Sequence, residues 1–381
     1  MNPRQLHYDV QQAKAVVLPG ALIEAMDARE GADQAGLLVT RPALQALDAY
    51  RASVQHMPSD VAQAMEWLGY EHISEPELTP ERMLLLFQQL RVHGNAWTAL
   101  RVQCQQVTVG LQRHAASIEA QGSKVVALGA RTRALGANQG SWESLQLAPP
   151  AALDTHDLQL LAAMGGELVR LHGLVDDYDQ QVDTLRIGLQ TFRDTARERL
   201  VPSIVEKCRA ARRFAGSPEA ENLSWELGML NEDIKAAERD YQRYSKQSSA
   251  GWVGGPFGFL ISSSIYGSKA KEARAEQRRL EQRHRQLSQR LTQHRRVEGR
   301  VNQLDSEMKL LQTELWDAVL ASGHLHTAWQ TIEAYLESAM ERLQRMNTRQ
   351  QLATFMFHFR QFLSQWGTIG EHARGMSKVF E

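Results

Sequence analysis

The sequence predicts an all-α fold, an elongated antiparallel helical bundle with a long coiled-coil hairpin that carries an apolar tip. Three observations lead to this prediction. Apolar residues recur at spacings of three and four over long stretches, strand signals are scarce, and one uncharged segment interrupts two highly charged helical runs. The 381 residues are 43% hydrophobic and 23% charged, so the chain can bury a core and is not disordered by composition.

The helical periodicity is clearest in the middle of the chain. Over residues 161–192 the apolar spacings alternate between three and four without a break, which is typical of a coiled-coil seam or a long bundle helix. A second run covers residues 87–118. Thr79 and Pro80 precede it and supply an N-cap hydroxyl and a proline at the first helical position. Both runs therefore predict long helices.

Two further runs flank the uncharged segment. One covers residues 223–244, and the other covers residues 280–319 and is predicted to continue as a single long helix. Helices of 40 to 50 residues are about 60–75 Å long at 1.5 Å per residue. Two such helices joined antiparallel form a hairpin, and residues 247–268 are then its tip.

Breaks in the periodicity, including the turn-rich residues 136–152, suggest a division into four regions. We expect an N-terminal helical region that packs on the bundle, the bundle or tail helices, a coiled-coil neck, and a C-terminal bundle helix. In order, these are residues 1–78, 79–220, 221–320 and 321–381. Within the neck, residues 247–268 are expected to form a hydrophobic foot.

The foot has 22 residues without a charge. A large exposed apolar patch usually marks a surface for a protein or a membrane. Trp252 and Tyr266 bracket its apolar centre, as interfacial aromatic residues do in membrane proteins. A fully helical 250–267 segment would be about 27 Å long, barely the hydrocarbon thickness. Pro256 and three serines also disfavour a lone permanent span, so the foot fits a segment that inserts on assembly.

The residues expected to enter the membrane form the apolar part of the foot: Trp252, Val253, Pro256, Phe257, Phe259, Leu260, Ile261, Ile265 and Tyr266. Cationic residues on either side are expected to contact anionic headgroups: Arg243, Lys246, Lys269, Lys271 and Arg274. The alternative is that the tip packs into a groove of its own bundle or into a partner subunit.

Other chemistry has little support in the sequence. No catalytic constellation, Walker pattern or EF-hand loop is visible, and His324 and His326 lack the spacing of a zinc site. We therefore expect no enzyme activity, cofactor or metal. Residues 269–300 are basic, but a solvated or salt-bridged helix face explains them better than nucleic-acid binding. Cys104 and Cys208 have no paired spacing and are expected to be buried or inert thiols.

The first residues lack the apolar core of a secretory signal, and no segment reaches the roughly 20 strongly apolar residues of a standard span. We expect a product made soluble in the cytoplasm that leaves the cell by another route.

Residues 254–274, GGPFGFLISSSIYGSKAKEAR, precede a long charged helix and resemble the A component of the alpha-xenorhabdolysin family. These are binary α-pore-forming toxins related in architecture to cytolysin A and the helical enterotoxins. Asn231, Ile234, Lys235 and Tyr241 in the preceding arm are similar too. The resemblance implies an elongated helical bundle, a coiled-coil neck and a foot that meets the membrane. It also implies a B component with which A builds an alternating ring.

Two functions follow from these observations. The first is a subunit of a binary pore-forming cytotoxin, a soluble monomer that engages a target-cell bilayer through residues 250–267 and oligomerises with a B-type partner. The protein would be released from the producing cell and reach the host membrane in its pore state. The second is a non-toxic coiled-coil scaffold or adaptor that uses the tip as a protein-docking knob. Neither function involves nucleic acid or a small-molecule substrate.

Overall fold

The computed structural model describes residues 3–30, 37–73, 75–136, 140, 142–215, 218–250, 269, 272–288 and 296–380. Across these ranges the regular structure is helical, apart from one isolated β-bridge between Ala152 and Thr348. The all-α prediction is therefore confirmed.

The helices are numbered in chain order. They are α1 (Pro3–Glu30), α2 (Arg41–Gln55), α3 (Val61–Leu68), α4 (Pro80–Arg131), α5 (Trp142–Leu145), α6 (Thr155–Thr195), α7 (Val201–Ala215), α8 (Pro218–Ala250), α9 (272–288), α10 (Arg296–Leu343), α11 (Arg349–Leu363) and α12 (Trp366–Ser377). A π-helical turn, Ala196–Leu200, joins α6 to α7. Short 3-10 turns are present at Pro76–Leu78 and Lys378–Phe380.

Two long helices, α4 and α6, form where the sequence predicts them. α4 begins at Pro80, where the Arg82 amide donates to the Thr79 hydroxyl over 3.4 Å. Its 52 residues make it about 78 Å long. On α6 every apolar residue of the predicted seam, from Leu161 to Phe192, is buried.

The chain divides into two compact units. Unit 1 comprises Met1–Thr40, Gln103–Arg186 and Ala321–Glu381, and unit 2 comprises Arg41–Val102 and Ile187–Leu320. The division into four regions that the sequence suggests stays a prediction.

Unit 1 is built around an aromatic core. Tyr178 of α6, Trp329 of α10 and Trp366 of α12 are fully buried, with ring centroids 4.7 Å apart in the first pair and 5.8 Å in the second. The Tyr178 hydroxyl donates to the Val107 carbonyl over 2.7 Å, so its polar atom is satisfied. The buried phenylalanines of α11 extend this core: Phe355, Phe359 and Phe362. Unit 1 is thus stabilised mainly by apolar burial.

Each unit contains one of the two cysteines. Cys104 lies in unit 1 and Cys208 in unit 2, and both are free and buried. Burial raises the pKa of the Cys104 thiol to about 12 and also raises the pKa of the Cys208 thiol. Both side chains therefore stay protonated at neutral pH, and the prediction of buried thiols is confirmed.

The second arm of the predicted hairpin is two helices rather than one. On α9, Gln277 contacts Thr313 of α10, and His284, further along, contacts Ser306. Residue numbers rise on α9 as they fall on α10, so the two helices are antiparallel. The prediction of a single helix continuing to residue 319 is wrong. The physical reason is that α9 has a buried polar stripe, which packs against matching polar groups of α10.

Candidate functional site

The two helices that flank the uncharged segment pack against each other in unit 2. α8 and α9 are antiparallel. Glu226 pairs with Arg283 over 2.8 Å at one end, and the Arg274 guanidinium lies 5.3 Å from the centroid of the Tyr241 ring at the other. Lys269 lies 5.9 Å from the centroid of the Tyr244 ring. The positions on either side of the segment therefore lie together, as a hairpin requires.

The predicted membrane-entering residues of the foot, Trp252, Val253, Pro256, Phe257, Phe259, Leu260, Ile261, Ile265 and Tyr266, lie outside the described residues. Lys271 lies outside them as well. The assignment of these residues to the membrane stays a prediction.

Of the four other predicted headgroup contacts, Arg243 and Lys269 are at the surface and Arg274 is buried. Arg243 and Lys269 are exposed, and Lys246 lies in the last two turns of α8. Arg274 is only 7% exposed. In this conformation its guanidinium faces the interior of unit 2, so a headgroup role for Arg274 requires a rearranged, membrane-bound form.

A small apolar cluster joins the two arms. Leu227 and Leu230 of α8 pack on Leu287 of α9, with Leu223 and Leu280 partly buried beside them. These leucines are the apolar positions that the sequence pattern identified. They cover one side of α9 only, and the other buried side is polar.

This second side of α9 forms a stripe at spacings of three and four: Arg274, Gln277, Glu281, His284 and Ser288. It faces buried polar residues of α10: Asp305, Ser306, Lys309, Thr313 and Glu314. We call these ten residues the polar seam. Heptad positions that normally hold leucine or isoleucine are thus occupied here by hydrogen-bonding and charged side chains.

Hydrogen bonds satisfy much of the polar seam. The Glu281 carboxylate accepts from Thr313 Oγ1 over 2.9 Å and from Gln277 Nε2 over 3.0 Å. Lys309 Nζ donates to Asp305 Oδ2 over 2.7 Å and also contacts Asn231 of α8. The seam therefore links all three helices of the hairpin region through groups that need specific partners.

Arg274 is the least satisfied member of the seam. Its Nη2 lies 3.4 Å from Glu314 Oε1 and 3.1 Å from Asp317 Oδ2, yet none of its three guanidinium nitrogens has a hydrogen-bond partner. Burial lowers the pKa of Arg274 to about 10, and the charge of Glu314 opposes that shift. A buried cation held by charge without aligned hydrogen bonds stabilises little relative to an apolar pair.

The polar seam lowers the free-energy cost of separating α9 from α10. An apolar interface loses its hydrophobic stabilisation when it opens, at about 25 cal/mol per Å². Buried polar groups instead regain hydration, so their net contribution to holding the helices together is small. The packing of α9 on α10 therefore depends more on specific polar partners than on apolar burial.

Within this seam, burial shifts the pKa values of Glu281 and His284 in opposite directions. Burial raises the pKa of Glu281 from 4.5 to about 7, so its contribution to stability is present below pH 4.5 and is lost as the pH rises through 7. Burial, with the nearby charge of Lys309, lowers the pKa of His284 from 6.5 to about 4. The contribution of His284 to stability is present above pH 6.5 and is lost as the pH falls through 4.

We therefore expect Glu281→Gln to gain stability relative to the wild type as the pH rises from 4.5 to 7, and His284→Gln to gain as the pH falls from 6.5 to 4. Each change should reach up to about 3 kcal/mol. Urea unfolding at a series of pH values measures both. His93, whose pKa burial lowers to about 4, contributes equally to all three proteins and cancels in the differences. Parallel profiles for the two variants would contradict the assignment.

Sequence reasoning missed the polar seam because it followed apolar residues only. The signal was present, since residues 274, 277, 281, 284 and 288 keep heptad spacing. A search for polar residues at that spacing would have found one face of the seam but not its partners on α10.

Among the described helices, none combines the length and the apolarity needed to cross a membrane.

No protein-family model matches the chain, and no curated protein matches it in sequence. Comparison with solved structures finds proteins of similar helical fold. The YaxAB pore complex is 19% identical over 90% of this chain and 97% of that one, with a TM-score of 0.50. YaxA from Yersinia enterocolitica is 19% identical over the same shares, with a TM-score of 0.49. XaxA from Xenorhabdus nematophila is 16% identical over 91% of this chain and 97% of that one, with a TM-score of 0.46.

The likeness to the YaxAB pore complex shows the fold of this chain and covers almost all of it. The all-helical architecture implied by the resemblance is thereby confirmed at the level of the fold.

Proposed function

We propose that this chain is a subunit of a binary α-helical pore-forming toxin. The observation that carries the proposal is the antiparallel pair of α8 and α9, which holds a 22-residue uncharged segment between its ends. The shared fold with the YaxAB pore complex supports it. The activity is physical rather than catalytic, because it consists of binding, insertion and assembly.

The first step is contact between the foot and a target-cell bilayer. Exposed Arg243 and Lys269 lie beside the foot, where they can attract anionic headgroups at about 1 kcal/mol per cation. The aromatic and aliphatic side chains of the foot then enter the membrane. A rearranged hairpin turns Arg274 towards the headgroups, which Lys271 also contacts.

The second step is assembly. The foot is short for an independent span, so a B-type partner completes the insertion and the two chains form a hetero-oligomeric ring. The opening of α9 from α10 at the polar seam supplies the conformational change. The protein is released from the cell that makes it and reaches the host membrane.

Dye release from vesicles containing phosphatidylserine tests the proposal. The purified protein, alone and with a B-type partner, is added to vesicles loaded with a self-quenching dye, and we expect leakage when both chains are present. The triple variant Phe259→Asp, Leu260→Asp and Ile261→Asp should abolish leakage and leave the far-ultraviolet circular dichroism unchanged, since burying a carboxylate in hydrocarbon is costly.

The matched control adds the same charge elsewhere, at exposed Gln159, Ala162 and Ala163 of α6. With the partner present, this control protein should cause as much dye release from the vesicles as the wild type does. No lipid binding and no leakage with or without the partner would overturn the proposal and favour the adaptor function. Unchanged leakage in the foot variant would show that other residues insert.

A further inference from the structure

A histidine and two glutamates of unit 1 form a cluster that the proposed function does not use. His172 Nε2 on α6 lies 3.7 Å from Glu333 Oε1 and 3.7 Å from Glu337 Oε1 on α10. One ligand atom from each residue lies within 4.8 Å of the other two. The glutamates are one turn apart, so both carboxylates lie on the same helix face.

The imidazole nitrogen in this cluster lacks a hydrogen-bond partner. His172 Nε2 is shielded from solvent, and both 3.7 Å separations exceed a hydrogen bond. A buried polar atom without a partner is destabilising and calls for an explanation. The imidazole nitrogen and the two carboxylates share one space, and a bound cation satisfies all three groups.

The surrounding charge favours a cation as well. Glu333 lies within electrostatic reach of three further carboxylates, those of Asp176, Asp179 and Glu337. These acidic groups come from both helices that face the cluster. A divalent ion between α6 and α10 would offset their mutual repulsion.

We propose that His172, Glu333 and Glu337 bind a divalent transition-metal ion, for which Zn²⁺ is the representative probe. Zinc takes imidazole nitrogen and carboxylate oxygen at about 2.0–2.2 Å, which places tetrahedral ligand atoms about 3.4 Å apart. The observed 3.7 Å separations need only small side-chain movements to reach that geometry. Three protein ligands leave a fourth position for water.

No metal-ligand spacing is visible in the sequence, because the histidine and the glutamate pair come from distant parts of the chain that only the packing of α6 on α10 brings together. The bound ion cross-links these helices and stabilises the folded form of unit 1 by an amount that grows with the logarithm of the free ion concentration.

Isothermal titration of the full chain with Zn²⁺, after removal of metal by a chelator, tests the site. The wild type should show one tight site above the weak background of its 13 histidines. His172→Ala, Glu333→Gln and Glu337→Gln should each weaken it by more than about tenfold, the lower end of the loss seen when even outer-shell partners are removed. Co²⁺ titrated in place of Zn²⁺ should give visible absorption bands in the wild type that these variants lose.

Two controls separate the site from general effects. Glu341→Gln makes the same change one turn further along α10, at a residue as exposed as Glu337. His326→Ala removes a histidine whose Nδ1 lies 2.8 Å from Asp179 Oδ1 between the same two helices. Both controls should keep the tight site. Since the Glu337 side chain is 64% exposed, its amide variant remains folded and informative even if His172→Ala unfolds the chain.

The pH dependence of Zn²⁺ binding distinguishes a metal site from a histidine–carboxylate ion pair. Metal ions displace protons from the groups that bind them, so Zn²⁺ affinity should fall as the pH is lowered. A simple histidine–carboxylate ion pair strengthens as the pH falls instead. Wild-type affinity retained in His172→Ala, or the absence of a tight site in the wild type, would overturn the proposal. Equal binding of Ca²⁺ and Zn²⁺ that does not depend on His172 would also overturn it.

Discussion

Replacing Arg274 with alanine will lower the free energy of unfolding of unit 2 by about 3 kcal/mol, the lower end of the range for breaking a buried ion pair. The substitution leaves Glu314 buried next to Arg278, whose Nη2 lies 3.3 Å from Glu314 Oε1 and keeps part of the charge balance. Asp317 is partly exposed and can be hydrated, which limits the loss. Urea unfolding followed by circular dichroism measures the change.

Arg279→Ala is the matched control, because its exposed pair with Glu276 lies on the same helix and should contribute little to stability. The double variant Arg274→Met with Glu314→Gln should recover most of the lost stability, since removing both charges leaves no buried ion without a partner. An Arg274→Ala variant as stable as Arg279→Ala would show that the buried guanidinium makes no net contribution.

Replacing Trp329 with alanine will lower the free energy of unfolding of unit 1 by about 3–5 kcal/mol. The ring is fully buried between Tyr178 and Trp366, so its loss leaves a cavity that aromatic neighbours cannot readily fill. Thermal and urea unfolding both test this expectation.

Trp225→Ala is the control, because that ring is 69% exposed and its removal creates no cavity. Trp329→Phe should cost less than Trp329→Ala, since phenylalanine fills much of the space and removes an indole N–H that has no hydrogen-bond partner. Equal losses for the two alanine variants would contradict the cavity explanation.

The sequence predicted those parts of the fold that depend on local spacing. From Leu161 to Phe192 each apolar residue stays on one helix face, and that face is buried whatever packs against it. The hairpin was predictable for a similar reason. The uncharged segment differs from both arms, and a chain that must pair two long helices reverses at such a segment.

The parts that sequence alone did not predict depend on partners far away in the chain. The polar seam requires Glu281 to meet Thr313, and the proposed metal cluster requires His172 to meet Glu333. A polar residue in a helical sequence has the same local pattern whether it faces water or a buried partner. The antiparallel break between α9 and α10 was missed because heptad spacing continues on both sides of it.

The two cysteines give this chain a separate built-in reporter for each unit. A thiol reagent added to the folded protein can modify Cys104 or Cys208 only when the surrounding unit opens, because both side chains are buried and protonated. Modification rates, resolved by peptide mass, therefore give two local opening equilibria without any engineered residue. If contact with lipid loosens unit 2 and leaves unit 1 intact, Cys208 will react faster while Cys104 keeps its original rate.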